Sequence, residues 1–124
     1  MAQRVELLVM RRQTAEYIKR EPVVLTLQRN QLVSDGQGGW TPTAGPIPAG
    51  KQTFAFDAMG RVQAGHVRRT VDGQEVEPEY ALMGKYDADV QRGDWFFIEG
   101  IKYEVVFVHP DRSYEVSAEV AYRG

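Results

Sequence analysis

The chain contains no cysteine, which removes disulfides, thiolate metal sites and a cysteine nucleophile together and suits a reducing cytoplasm. Histidine is nearly as scarce: His66 and His109 are the two present, in different turn-rich segments. A nucleophile–imidazole–acid triad would need an activated Ser or Thr beside one of them, and Gly-x-Ser-x-Gly does not occur. No catalytic residue is therefore expected, and the chain does not read as an enzyme. No apolar run approaches the roughly 20 residues that span a bilayer. Val5–Met10 is interrupted by Glu6 and followed by Arg11-Arg12, with no small-residue cleavage site, so it does not read as a signal peptide and no membrane partner is expected. Neither sign of charge dominates. Fifteen Lys and Arg stand against 17 Asp and Glu, a formal net charge of −2, which argues against a DNA-coating protein with a basic face.

Cofactor signatures are equally thin. Gly60–Gly65 has the outer glycines of a phosphate loop, but His66-Val67 stand where Lys-Ser/Thr is required, so no charge serves the phosphates. Asp87, Asp89 and Asp94 invite a hard cation, yet a cage needs several convergent oxygens and commonly a bidentate Glu at fixed spacing. Ala88 and Val90 alternate with the first two acids, which reads as turn and surface. No metal and no cofactor are expected.

What the chain does have is turn residues and alternation. Its 124 residues include 12 Gly and 6 Pro, and they make most simply a single domain over 1–124. Residues 90–122 hold the clearest pattern. Glu99-Gly100 separates Trp95–Ile98 from Ile101–Val108, as in a tight hairpin whose second loop residue takes a positive φ. Tyr114, Val116, Ala118, Val120 and Tyr122 alternate with Glu115, Ser117, Glu119 and Ala121, putting the first set on one strand face and the second in water. Ile101, Tyr103, Val105 and Phe107 repeat the period, while Val106 and Val108 make that strand apolar on both faces.

Towards the N-terminus, Thr14 is a cap for a short helix reaching Arg20, stopped by Pro22; residues 1–13 read as an extension, helix or strand. Pro22–Arg29 alternates as a strand, Ser34–Gly39 is a loop, and Gln52–Phe56 is a further strand. The connector Pro42–Gly50 carries three prolines, each lacking a ladder donor, and is expected outside any sheet. Residues 57–76 thin out in apolar side chains and read as a projecting loop or hairpin around Asp72-Gly73. Glu79–Met83 is a short strand, and Arg92-Gly93-Asp94 turns the chain into the final hairpin. The sum is an all-β protein, a small barrel or sandwich of six to seven short antiparallel strands with one short N-terminal helix.

Two surfaces stand out. Arg61, Arg68 and Arg69 concentrate positive charge without intervening acids, either as a solvated loop or as one that faces a polyanion. Trp40, Trp95, Phe96, Phe97 and Tyr103 exceed what one face of a small core holds, so part of the set is expected between subunits.

In order and spacing the chain resembles the head-to-tail stopper (head-completion) proteins of long-tailed phages, especially those infecting actinobacteria. The pieces that carry the likeness begin with Glu16–Pro22 leading into Val23–Leu27, then Asp35–Trp40, then the Pro/Gly connector running into Gln52-Thr53-Phe54. They end with Met83-Gly84, Asp87–Val90, Gly93-Asp94 and Gly100–Val105, so the likeness covers about residues 16–122. It implies a β-barrel that forms a homo-oligomeric ring in the virion neck, assembled in the host cytoplasm. That ring lies below the adaptor and portal rings and above a tail-completion or tail-tube protein, and it closes the channel on packaged DNA. It also implies one plug loop per subunit, for which Arg61, Val62, Gln63, His66, Arg68 and Arg69 are the candidates. Trp40, Pro46, Pro48 and Phe96 are the candidate subunit interface. A tail-completion protein at the top of the tail is the neighbouring alternative. A nucleic-acid-binding small barrel is the alternative of a different class, and it would need a continuous basic, aromatic groove.

Overall fold

The computed structural model describes residues 2–59, 69–71, 73–110 and 112–123. The first element is helix α1 (Ala2–Arg20), 19 residues long and so longer than the short helix the capping signal suggests. Its Ala, Leu, Met, Glu, Gln and Arg are strong helix formers and it holds no Gly or Pro. Lys19 and Arg20 in the last turn complement the helix dipole, and Pro22 ends it. Thr14 is an interior residue of α1, not its cap. The helix lies on the barrel through Thr14 and Ile18, four residues apart and both buried. Tyr17 donates to Asp57 Oδ2 at 2.9 Å, and that bond raises the phenol's pKa. Arg11 Nε donates to the Ser113 carbonyl at 3.0 Å, its guanidinium 3.8 Å from the centre of the Tyr86 ring.

Among the described residues eight strands follow: β1 (Val23–Ser34), β2 (Trp40–Ala58), β3 (Arg69–Val71), β4 (Gln74–Val76), β5 (Tyr80–Lys85), β6 (Trp95–Ile98), β7 (Ile101–Val108) and β8 (Glu115–Tyr122). Six of them close an antiparallel barrel in the order β1-β2-β5-β8-β7-β6, and β3 pairs with β4 as a separate hairpin. Closure makes sense of the hydrophobic pattern, because a closed sheet has one inner face to fill and no open edge around its waist. Leu25, Leu27, Ile47, Phe54, Leu82, Phe96, Tyr103, Val105, Ala118 and Val120 fill it. Toward one end the filling is aromatic. Phe56 stacks on Tyr80 with centroids 5.0 Å apart, Phe96 stacks on Tyr103 at 5.6 Å, and Phe56 meets Tyr103 edge-on at 5.3 Å. The β6–β7 turn has Glu99 at φ 51° and Gly100 at φ 80°, the two positive values that a two-residue hairpin of this hand requires.

The proline connector is not a connector. Pro42, Pro46 and Pro48 lie within β2, which runs for 19 residues and pairs with β1 over 40–46 and 51–54. The Asp35 N–H donates to the Gly39 carbonyl at 3.1 Å. Counting alternate pairs from there, Pro42 opposite Leu32 and Pro46 opposite Gln28 fall on non-hydrogen-bonded sites. Their nitrogens point away from β1, so no ladder donor is lost. Pro48 sits in a bulge, where the register steps from Gln28↔Pro46 to Thr26↔Lys51.

The alternation is also interrupted in β7, where a bulge lies between Val105 and Phe107. Tyr103 and Val105 point inward, Val106 outward, and Val108 inward again. On β8, Glu115, Glu119 and Ala121 are buried rather than in water. The sequence cannot show what covers them. Val76 of β4 packs over Val106 and Ala121, so the hairpin within 57–76 leans on the barrel instead of projecting freely. His109 is half-buried, with Nε2 3.0 Å from Glu119 Oε2 and its ring edge-on to Phe107.

Candidate functional site

The barrel closes thinly at one place. Between β1 and β6 a single register pair, Gln28↔Trp95, joins the sheet edges. Beside it, Arg29 continues the inward row of Leu25 and Leu27 and reaches across to the loop that enters β6. Its Nε and Nη2 donate to Asp94 Oδ1 and Oδ2 at 2.8 and 2.9 Å, and Nη2 also donates to Asp89 Oδ1 at 2.9 Å. Asp94 is 1% exposed and its Oδ2 also accepts from the Gln91 N–H at 2.8 Å. The bond to Asp94 raises the Arg29 pKa, against the opposing effect of burial. Gln52 locks the same loop: its amide donates to the Asp89 carbonyl at 2.9 Å and accepts from the Asp89 N–H at 2.8 Å. Of the three acids that invite a cation, Asp89 and Asp94 thus converge on a guanidinium, while Asp87 is exposed. Removing one partner of such a buried pair typically costs about 3–5 kcal/mol.

Beyond this seam β1 and β2 continue as an arm. Residues 28–34 pair with 40–46, past the point where β6 leaves off. The tip is a loop in which Asp35 Oδ1 accepts from the Gln37 and Gly39 N–H groups at 2.7 and 3.0 Å. Leu32 and Trp40, on one face of the arm, are exposed at 67% and 66%. In the crook where arm meets barrel lies an open groove of about 570 Å3, lined by Asn30, Ala44, Arg92, Trp95, Lys102 and Glu104. Its charges are already engaged. Lys102 Nζ is 5.3 Å from the centre of the Trp95 ring, Glu104 is 3.7 Å from Arg123 Nε, and Arg92 donates to the Thr70 carbonyl. This is not the continuous basic track that a strand of nucleic acid would follow.

A second exposed apolar surface belongs to α1. Val5, Leu8, Val9 and Met10 are exposed at 61%, 56%, 48% and 37%, whereas Thr14 and Ile18 further along are covered. An apolar helical stripe in water is the form a helix takes before a partner covers it.

Of the residues singled out from sequence, Trp40, Pro46 and Pro48 are all exposed along β2. Phe96 is a correction. It is 1% exposed and stacked in the core, because alternation along β6 turns Phe97, 56% exposed, to the outside instead. Arg61, Val62, Gln63, His66 and Arg68 lie outside the described residues, as does the side chain of Arg69, whose backbone in β3 pairs with Val76. Sequence reasoning missed Arg29, Leu32 and the apolar stripe of α1. Among the described residues no cluster of metal-ligand type occurs and no helix is long and apolar enough to cross a membrane.

Barrel, arm and helix together make a small β-barrel protein with two exposed apolar surfaces among its described residues. Comparison with models of known protein families and with curated proteins finds no match for the chain.

Proposed function

We propose that the chain is a structural subunit of a long-tailed phage neck, the stopper ring that closes the DNA channel after packaging and receives the tail. The observation that carries this reading is the arm. A 124-residue protein extends paired strands beyond its own core and ends them in an exposed Leu32 and Trp40, which stabilises nothing within one copy. A ring of identical subunits gives such an arm a neighbour to hold. The ordered pieces from Glu16 to Val105, similar to those of stopper proteins, support the same reading. On this proposal the segment around 57–76 supplies the plug, with the β3–β4 hairpin as its root on the barrel and Arg61 and Arg68 toward the packaged DNA.

The test is fractionation of a lysate in which the tagged protein is assembled. Copurification with DNA-filled heads supports the stopper. Copurification with free tails instead assigns it to tail completion, and absence from both overturns the neck reading. Deleting 60–68 is expected to leave ring assembly intact and give DNA-depleted heads; full, stable heads from that variant would remove the segment as plug.

A further inference from the structure

Between α1 and the barrel wall runs a groove of about 210 Å3, bounded by Met10, Gln13, Tyr17, Met83, Tyr114 and Glu115. Two thioethers and two tyrosine rings make its walls largely apolar. Glu115, however, is a carboxylate only 8% exposed. Its Oε1 lies 3.9 Å from Arg112 Nη1, and its Oε2 accepts no hydrogen bond within the subunit. A buried acceptor without a donor is rare in folded proteins and marks a place where a partner group is due. What fits is a group with a broad apolar body and one donor.

The chain presents such a group elsewhere. Trp40 stands at the end of the arm with its indole 66% exposed, and an indole is a donor with no acceptor. We propose that Trp40 of one copy seats in the α1 groove of a second copy, its ring against Met10, Met83 and Tyr114 and its N–H toward the Glu115 carboxylate. Charge agrees with this pairing. Asp35 is the sole charged residue between Asn30 and Gly50, and it would meet a helix flank that carries Arg11 and Arg12. The arm of one copy and the groove of the next are different surfaces, so the contact is head-to-tail and propagates until it closes. The inference rests on the self-assembly in the proposed function, and not on the place of that assembly in a neck.

The absence of native cysteine makes the test clean. Gln13→Cys and Thr41→Cys, both at exposed positions, are prepared as separate full-length proteins and treated with a bismaleimide, which tolerates imperfect geometry. Cross-linked dimers are expected from the mixture and not from either protein alone. Adding Trp40→Ala to the Thr41→Cys chain is expected to lower the yield about tenfold or more, as for an anchoring residue, with Trp40→Phe falling between. Dimers from Gln13→Cys alone would mean helix against helix and would overturn the assignment. Sedimentation of the wild-type chain in parallel separates the two claims. Multimers without the Gln13–Thr41 cross-link overturn this contact and leave the ring. A wild-type chain that stays monomeric and uncross-linked at every concentration overturns both.

Discussion

The two halves of the β1–β2 ladder are made of the same strands in one continuous pairing, and they do opposite things. In the lower half, Val23–Thr26 against Lys51–Phe54, the inward side chains are Leu25 and Phe54, and the barrel covers them completely enough that Phe54 has no exposed surface. In the upper half, residues 28–34 against 40–46, Leu32 and Trp40 stand in solvent on the outward face, the face that carries exposed Val24 in the lower half. The difference lies in the neighbours. The lower half turns one face to the closed core, and the upper half runs on past the Gln28↔Trp95 pair where β6 meets β1. The same two strands bury one face over the barrel and continue beyond it as an exposed arm. Arg29 marks the border, where the last inward position of β1 is filled by a cation that binds Asp94 and Asp89 instead of by an apolar group.

That contrast breaks most readily from the barrel side. Arg29→Ala leaves Asp94 buried without its cation and is expected to lower stability by about 3–5 kcal/mol; chemical denaturation measures it. A loss under about 1 kcal/mol would show that the seam is not held by this pair. Gly84→Ala comes next. A Cβ there would lie 2.7 Å from Ala88 Cβ and 2.9 Å from Phe54 Cε1, so overpacking of about 1–3 kcal/mol is expected, read as a shifted denaturation midpoint.

Alkali sharpens the same distinction, because beyond Arg29 the arm holds no buried titrating group among its described side chains. Burial, then the neighbouring Tyr80, raises the Tyr103 pKa. The folded protein therefore keeps this proton above pH ~10, where the unfolded chain has begun to release it. The stabilisation is full below that pH and is lost as pH rises through the folded value. Denaturation midpoints should fall with pH in that range, and Tyr103→Phe should flatten the fall.

The smallest stability effects belong to the arm. Trp40→Ala and Leu32→Ser are expected to change the denaturation midpoint by no more than about 0.5 kcal/mol, while sedimentation shows assembly weakened. A large loss of stability from either variant would make the arm part of the core after all.

How far the sequence carried this picture follows from the range of each signal. Alternation and turn chemistry act over a few residues, so the Glu99-Gly100 hairpin, the strand from Glu115 to Tyr122 and an all-β barrel or sandwich were legible, with closure left open. Apolar runs such as Val5–Met10 suit helix or strand equally, which hid the first half of α1. Prolines argued Pro42–Gly50 out of the sheet, because their harmlessness depends on pairing parity, a property of two strands together. Phe96 and Phe97 were interchangeable until the register of β6 was known. The Arg29–Asp94 pair joins residues far apart in the chain, and no local pattern announces it.

Hydrogen exchange on the wild-type chain, followed from dilute to concentrated solution, tests the division between barrel and arm most directly. Amides of β5 and β8 should exchange slowly at every concentration, whereas those of Ala2–Met10 and of the loop between β1 and β2 should become protected only as the sedimenting mass rises. Protection of the arm and helix that is unchanged while the mass grows would contradict the account.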